Sequence, residues 1–304
     1  MATSRFIKDS GLTARMTLTM FLLGALFVAL VVAVIQFVGT SFAPVVALIA
    51  IGVAFWQWWT SDKVAMRAMR AREVTPEEAP ELHGMIDRLC ALADMPKPRV
   101  GVSDLAVPNA FATGRSPERS VVCVTTGILR TLDAEELEAV LAHELSHVAH
   151  RDVLVMTVAS SAGIAAGLLM RFAQFGGMSR SRNNNSALPA VLVAVLVSLV
   201  VYAVSFLLLR LLSRYRELSA DRAGAYLTLK PGSLASALQK ISGEAAAIPQ
   251  RDLRAGSAVG AASALCIVPA LHSGLGGLMA THPPLQQRLE QLARIQAELG
   301  RPTG

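Results

Sequence analysis

The chain has 304 residues, of which 53% are hydrophobic and 16% charged, and its mean hydropathy is +0.48. This composition excludes an ordinary soluble enzyme, since such proteins carry about a quarter charged residues, and it favours an integral membrane protein. The formal net charge is +6. The basic residues lie beside apolar runs rather than among aromatic residues, so we expect anionic lipid headgroups, and no nucleic acid, as their partner. Ordinary topology signals explain the same charges equally well.

Two long apolar runs stand near the N-terminus, at residues 17–38 and 42–59, and the short linker between them carries no charge. Each run is long enough to cross a hydrocarbon core of about 30 Å as a helix. Basic residues precede the pair and follow it, so the positive-inside rule places both flanks in the cytoplasm. We therefore predict a transmembrane hairpin over residues 1–60 that is retained rather than cleaved as a signal peptide.

The segment that follows the hairpin has the pattern of a small α+β domain. Residues 80–93 are amphipathic and begin with a proline suited to a first helical turn. Three extended segments come next, at residues 99–102, 109–113 and 120–125, and the last is rich in β-branched side chains. We predict that these three segments form a small sheet.

A metal-binding motif follows the last of these strands. On a helix, His143 and His147 lie about one turn apart on the same face, which is the geometry that two imidazoles need to hold one zinc ion. Glu144 lies beside them as a carboxylate that can act as a base. Asp133, with Glu136 three residues later, predicts the start of this helix. The alternative is an exposed helix with two histidines, for which a chance match is about one in a few hundred.

Two further apolar runs occupy residues 153–170 and 187–209, with a polar linker between them. The second of these is the stronger candidate for a span. The first is shorter and contains Ser and Gly, so a buried or re-entrant helix is its alternative. Residues 256–280 are apolar but interrupted by Pro269 and His272, and we expect them to pack within the domain, with a fifth span as the alternative. A last amphipathic helix is predicted from about residue 283 to residue 299.

The third metal ligand has to come from a later part of the chain. Glu217 and Asp221 are about one helical turn apart and can face the same place. We predict that Glu217 binds the zinc ion and that Asp221 accepts a hydrogen bond from the other ring nitrogen of His143. An E-x-x-x-D pair alone is commonly a solvated helix face. His150 lies roughly 10 Å beyond His143 on a continuous helix, too far to share the ion.

Taken together, these segments resemble the HtpX family of membrane-bound zinc endopeptidases, which are gluzincins related to the prenyl-protein endopeptidases. The likeness covers nearly the whole chain and is carried by residues 108–114, 143–147, 213–221 and 281–284, followed by Arg288. Leu218 departs from it, because relatives often carry an aromatic residue there. The resemblance implies a mainly α integral membrane protein with about four transmembrane helices and a cytoplasmic zincin-like α+β catalytic domain that contains a small sheet.

The resemblance also implies roles that spacing alone does not assign. It implies one zinc ion per chain, and an edge strand that binds extended substrate by strand addition and is formed by Asn109, Ala110, Phe111 and Ala112. It implies that His282 stabilises the transition state and that Arg288 contacts a substrate carbonyl. From the residues alone, His282 is a position before a helix start and Arg288 is a surface arginine.

The expected domain order is a hairpin at 1–60, the first part of the catalytic domain at 61–152, a second membrane hairpin at 153–212 and the rest of the catalytic domain at 213–304. The motif helix runs almost directly into the third apolar run, so the zinc is expected roughly 10 Å from the cytoplasmic membrane surface. We expect a zinc endopeptidase that crosses the inner cell membrane several times. Its expected polypeptide substrates are membrane proteins or unfolded proteins. A role in stress response and quality control follows only from the resemblance.

Two alternatives come from other functional classes. A catalytically inactive zinc-binding scaffold keeps the metal ligands but has no need of Glu144. A transporter explains the spans, but the apolar runs lack the charged residues that transport paths usually contain. The sequence does not indicate an oligomeric state or a cleavage preference.

Overall fold

The computed structural model describes residues 10–38, 43–152, 155, 188–247 and 283–300. Most of these residues are helical, and four short strands form one mixed sheet. The elements in chain order are α1 (Ser10–Val38), α2 (Ala43–Ala68), β1 (Ala71–Glu73), α3 (Pro80–Ala93), β2 (Arg99–Ser103), β3 (Ala110–Gly114), β4 (Ser120–Thr125), α4 (Thr126–Thr131), α5 (Ala134–Ala149), α6 (Leu188–Thr228), α7 (Pro231–Ala247) and α8 (Leu285–Leu299).

The chain divides into two compact units. One comprises Met1–Leu12, Thr60–Leu154 and Ser213–Gly304, and the other comprises Thr13–Trp59 and Val155–Leu212. In the second unit, Leu30 of α1 and Val201 of α6 are buried against each other.

One segment within the described residues, Thr13–Val32, is long and apolar enough to cross a membrane. Many large apolar side chains of α1, α2 and α6 are exposed, as expected of helices whose outer partner is lipid. The apolar runs at residues 153–170, apart from Val155, and at residues 256–280 lie outside the described residues. Four spans therefore stay a prediction.

The sheet has the strand order β1-β2-β4-β3. Strands β2 and β4 are parallel, and β1 and β3 pair antiparallel with β2 and β4 respectively. All three predicted strands are present, and β1 adds a fourth, not predicted, at one edge. Its Ala-Arg-Glu sequence is too short and too polar to show the apolar alternation that identifies a strand. Strand β3 forms the opposite edge.

Strand β4 lies in the middle of the sheet, and all six of its residues are buried. Val122 and Val124 face the main hydrophobic core of the domain, whereas Val121 and Cys123 face a smaller core that the end of α2 helps to form. A strand covered on both faces needs apolar side chains that point both ways, which explains the apolar run from Val121 to Val124. The main core also contains Ile86 and Leu89 of α3, Leu141 and Leu145 of α5, Leu234, Leu238 and Ile241 of α7, and Leu292 and Ile295 of α8.

The start of α5 is fixed by a capping box, as the sequence predicted. The Glu136 backbone N–H donates to the Asp133 side chain at 2.9 Å, and the Asp133 backbone N–H donates to the Glu136 side chain at 3.1 Å. The Glu136 carboxylate also accepts hydrogen bonds from Ser236 and Lys240 of α7, each at 2.7 Å. Burial raises the pKa of Glu136, but these hydrogen bonds outweigh it and hold that pKa below its ordinary value. The first turn of the motif helix is thus tied to α7.

Helix α6 runs without a break for 41 residues. The apolar run and the Glu217 segment, which the sequence suggested as separate stretches, belong to one helix because no proline interrupts it after Pro189. Where α6 meets α5, a Cβ atom on Gly224 would lie 3.0 Å from the backbone N and 3.2 Å from the Cα of His143. The two helices are therefore in backbone contact at the first histidine of the motif.

Gly224→Ala is expected to destabilise the protein. The added methyl group has to displace helical backbone rather than a flexible side chain, and overpacking of this kind costs about 1–3 kcal/mol. The gain in helix propensity, about 1 kcal/mol, does not offset a cost in the upper part of that range. The midpoint of thermal unfolding in detergent is the measurement.

Gly243→Ala on α7 is the matched control, because no atom lies within 4 Å of the position a Cβ would take there. That variant should be about 0.5–1 kcal/mol more stable than the wild type. A Gly224→Ala protein that unfolds at or above the wild-type temperature would show that the two helices can move apart without cost.

Candidate metal centre

Three buried side chains from two helices meet at one point. Helix α5 contributes His143 and His147, and α6 contributes Glu217. One ligand atom from each lies within 4.8 Å of the others. The Nε2 atoms of the two histidines are 3.3 Å apart, and they lie 3.5 Å and 3.6 Å from the Glu217 carboxylate oxygens. The structure thus brings together the three residues that the sequence predicted as ligands.

These separations fit a zinc ion. Two ligand atoms bound to zinc at about 2.0–2.1 Å and at a tetrahedral angle are about 3.3 Å apart. Two imidazoles and one carboxylate are also a known catalytic zinc set, which leaves a fourth position open. Among the residues that the structure describes, this is the one group of three or more His, Cys, Asp or Glu side chains arranged to hold a metal.

Asp221 contacts the second ring nitrogen of His143. The Nδ1 atom of His143 lies 2.9 Å from Oδ1 of Asp221, so the structure brings together the two groups that the sequence predicted to form a hydrogen bond. Asp221 is completely buried and accepts two hydrogen bonds from Arg288 of α8, at 2.7 Å from Nε and 2.6 Å from Nη2. Another nitrogen of Arg288 lies 3.9 Å from Glu217. The alternative of a surface arginine was wrong, because Arg288 is 2% exposed.

The second histidine is held by a residue that the sequence analysis missed. The Nδ1 atom of His147 lies 2.7 Å from Oδ2 of Asp152, which is 1% exposed. The same oxygen lies 3.0 Å from Nε of Arg216. Burial raises the pKa of Asp152, but Arg216 and His147 outweigh it and lower that pKa to about 2. The available signal was a carboxylate placed five residues after the second histidine, just past the end of α5.

Two groups at the centre have shifted acidity. Burial raises the pKa of the Glu144 carboxyl above its ordinary value, although His143 and His147 act in the opposite direction. Burial lowers the pKa of His143, but its contacts with Asp221 and Glu217 outweigh this and raise it to about 9. Because a metal binds the neutral imidazole, binding at His143 has to displace a proton.

Glu144 lies between the two histidines in sequence and next to β3 in space. A hydrogen bond from the Ala112 backbone acts to lower the pKa of its carboxyl. Of the four strand residues predicted to bind substrate, Asn109, Ala110 and Phe111 are buried and Ala112 is half-buried. They belong to the strand that forms one edge of the sheet or directly precede it. His282, predicted to stabilise the transition state, lies outside the described residues.

The sequence of this chain matches a family of peptidases and several proteases. The model of peptidase family M48 matches residues 76–296. Protease HtpX homolog 1 of Streptomyces coelicolor is 54% identical over 98% of this chain and 97% of its own length. Protease HtpX homolog of Moorella thermoacetica is 47% identical over 96% of both chains.

A solved structure shares the fold. The crystal structure of Ste24p from S. mikatae matches with a TM-score of 0.55 at 15% sequence identity. The match covers 91% of this chain, which spans 64% of the length of that structure.

Peptidase family M48 is a family of zinc-dependent proteases, and the chemistry of the donor set described above agrees with that metal. The resemblance inferred from the motifs is confirmed by the family model and by relatives that align along nearly the whole chain. The chain therefore belongs to peptidase family M48 and is a metalloprotease that hydrolyses peptide bonds.

Proposed function

We propose that this chain is a zinc-dependent endopeptidase of the cell membrane in which His143, His147 and Glu217 bind one zinc ion and Glu144 is the general base. The observation that carries the proposal is the convergence of three buried ligand atoms within 4.8 Å, with a buried carboxylate next to the first histidine. An inactive scaffold needs the ligands but does not need a buried Glu144, whose burial costs free energy.

The proposed mechanism is metal-assisted peptide hydrolysis. When bound, the zinc ion supplies a Lewis acid that polarises the scissile carbonyl and makes water more acidic. A carboxylate oxygen of Glu144 takes the proton of the attacking water and later delivers it to the leaving amine. His282 is proposed to stabilise the developing oxyanion.

Strand β3 is the proposed binding site for the substrate backbone. Residues 109–112 lie at or beside the sheet edge, where an extended peptide can add as a further strand. Asn109, Ala110 and Phe111 are buried and Ala112 is half-buried, so the substrate backbone is proposed to contact this strand at Ala112. Arg288 is bound by Asp221 through two hydrogen bonds, and we therefore assign its effect on the reaction to the positioning of Asp221 rather than to a substrate carbonyl.

The proposed substrates are membrane proteins or unfolded segments near the bilayer, and the proposed active site faces the cytoplasm in a multi-pass inner-membrane protein. The basic residues that flank the apolar runs support this orientation. In sequence, the apolar run at residues 187–209 ends shortly before Glu217, about 10 Å away along a helix. A role in protein quality control agrees with these substrates.

One experiment tests the activity and the substrate class together. The purified protein in lipid vesicles is given an unfolded soluble protein, casein, and the same polypeptide fused to a transmembrane helix, each with and without a zinc chelator. Cleavage is expected to fall to background with the chelator, to return on addition of zinc, and to be faster for the membrane-tethered substrate. Chelator-resistant cleavage contradicts the zinc mechanism, and equal rates for both substrates contradict the membrane preference alone.

A further inference from the structure

Each of the two histidines has its Nδ1 atom against a buried carboxylate, and each carboxylate is bound in turn by an arginine. The first chain of contacts runs from His143 to Asp221 and Arg288. The second runs from His147 to Asp152 and Arg216. Asp152 itself lies outside the segments that carry the family resemblance, and it is 1% exposed.

The contacts at Asp152 determine which nitrogen of His147 carries the proton. An ionised carboxylate only accepts hydrogen bonds, and Asp152 lies 2.7 Å from Nδ1. The proton of the neutral ring therefore resides on Nδ1, and the lone pair of Nε2 faces the Nε2 atom of His143 and the Glu217 carboxylate. That tautomer is the one able to bind a metal at the convergence point.

The same pair also connects the two helices that supply the ligands. Asp152 follows the end of α5, and Arg216 is the residue before Glu217 on α6. The Arg216 side chain is 12% exposed, so the pair is largely removed from water. Such a pair is weak evidence for stability, because desolvation offsets most of the attraction between the charges. A functional reason is therefore needed for its position.

We propose that Asp152 and Arg216 are positioning residues of the zinc centre: Asp152 fixes the tautomer and orientation of His147, and Arg216 holds Asp152 in place while linking it to the helix that carries Glu217. This inference rests on the proposed function, since it assigns a role at the same metal centre. It predicts an effect on metal binding itself, separate from any effect on peptide cleavage.

The test measures the zinc affinity of the full-length protein in detergent by competition with a chelator. Asp152→Asn places an amide beside Nδ1, and its NH₂ group can donate to that nitrogen and favour the wrong tautomer. Its zinc affinity is expected to be about 10- to 100-fold weaker than that of the wild type. Arg216→Gln is expected to weaken zinc binding less, and Arg216→Lys, which keeps the charge, is expected to restore most of the loss.

A second readout separates positioning from a general structural effect. With ¹⁵N-labelled histidine, the metal-free wild type should show His147 protonated on Nδ1, and Asp152→Asn should show a larger fraction protonated on Nε2. Asp62→Asn is the matched control, because Asp62 is also a buried carboxylate paired with an arginine, Arg99, at 3.1 Å. It should leave both the zinc affinity and the tautomer unchanged.

The outcomes distinguish this inference from the proposed function. Zinc binding by folded Asp152→Asn within about twofold of the wild type, with the same tautomer, overturns the positioning role and leaves the proposed function intact. A wild type that binds no zinc overturns both. Should Asp152→Asn fail to fold, the comparison of Arg216→Gln with Arg216→Lys decides, and equal zinc affinities for those two variants and the wild type overturn the inference.

Discussion

Glu144→Gln is expected to bind zinc as tightly as the wild type and to cleave casein about 10²- to 10⁴-fold more slowly. The amide has nearly the shape of the carboxylate and leaves His143, His147 and Glu217 untouched, so the ligand set is retained. It cannot take a proton from water at any ordinary pH, so the proposed base is lost. The measurements are zinc stoichiometry and kcat/KM on the same preparation.

Glu135→Gln is the matched control for this result. Glu135 lies on the same helix, but its side chain is 65% exposed and pairs with Lys230, and an exposed pair of this kind contributes about 0–1 kcal/mol. Its kcat/KM should equal that of the wild type. A Glu144→Gln enzyme with normal turnover would remove Glu144 from its role, and one that also loses zinc would show that the glutamate acts through the ligands.

The parts of the fold that local signals encode were predictable from the sequence. Helix α3 occupies the predicted residues, Pro80–Ala93, because an initial proline and an amphipathic period act within the segment itself. Strand β4 has the predicted bounds because its β-branched run lies between a polar turn and a helix start. The start of α5 was predictable for the same reason, since a capping box depends on residues three positions apart.

Features that depend on distant partners were not predictable. Strand β1 exists because β2 offers a free edge, and its own sequence carries almost no strand signal. Helix α7 was not predicted, although its Ser236 and Lys240 hold the start of α5. Asp152 lies only five residues after His147, but its ion pair with Arg216 of α6 could not be predicted from that position. In each case the deciding contact joins residues far apart in the chain, which no local pattern records.

The candidate zinc ligands were predictable partly from local spacing and partly from distant residues. His143 and His147 were identified by spacing, because one helical turn separates them whatever the rest of the fold does. The choice of Glu217 required a second motif, and the choice of Asp221 required a chemical argument about histidine tautomers. The sequence did not show that one buried arginine interacts with three buried carboxylates. Glu144, Glu217 and Asp221 all raise the pKa of Arg288, and Arg288 in turn lowers the pKa of Asp221.

Arg288→Met is expected to lower the free energy of unfolding by about 3–5 kcal/mol, because removing one partner of a buried ion pair leaves the other charge uncompensated. The charge left behind is Asp221, which is completely buried and loses both hydrogen bonds from the guanidinium. Zinc affinity should fall as well, since Asp221 is then no longer held against Nδ1 of His143. Thermal unfolding in detergent and chelator competition are the two measurements.

Two further variants separate these effects. Arg88→Met removes an arginine whose side chain is 58% exposed and paired with Glu138, and it should change stability by less than about 1 kcal/mol. Arg288→Met combined with Asp221→Leu removes both charges, so stability should largely recover while zinc affinity stays low, because a leucine cannot orient His143. Recovery of zinc affinity in that double variant would show that the arginine and aspartate only neutralise each other. Weak zinc binding in a protein of wild-type stability would show that the buried pair is kept for the metal centre.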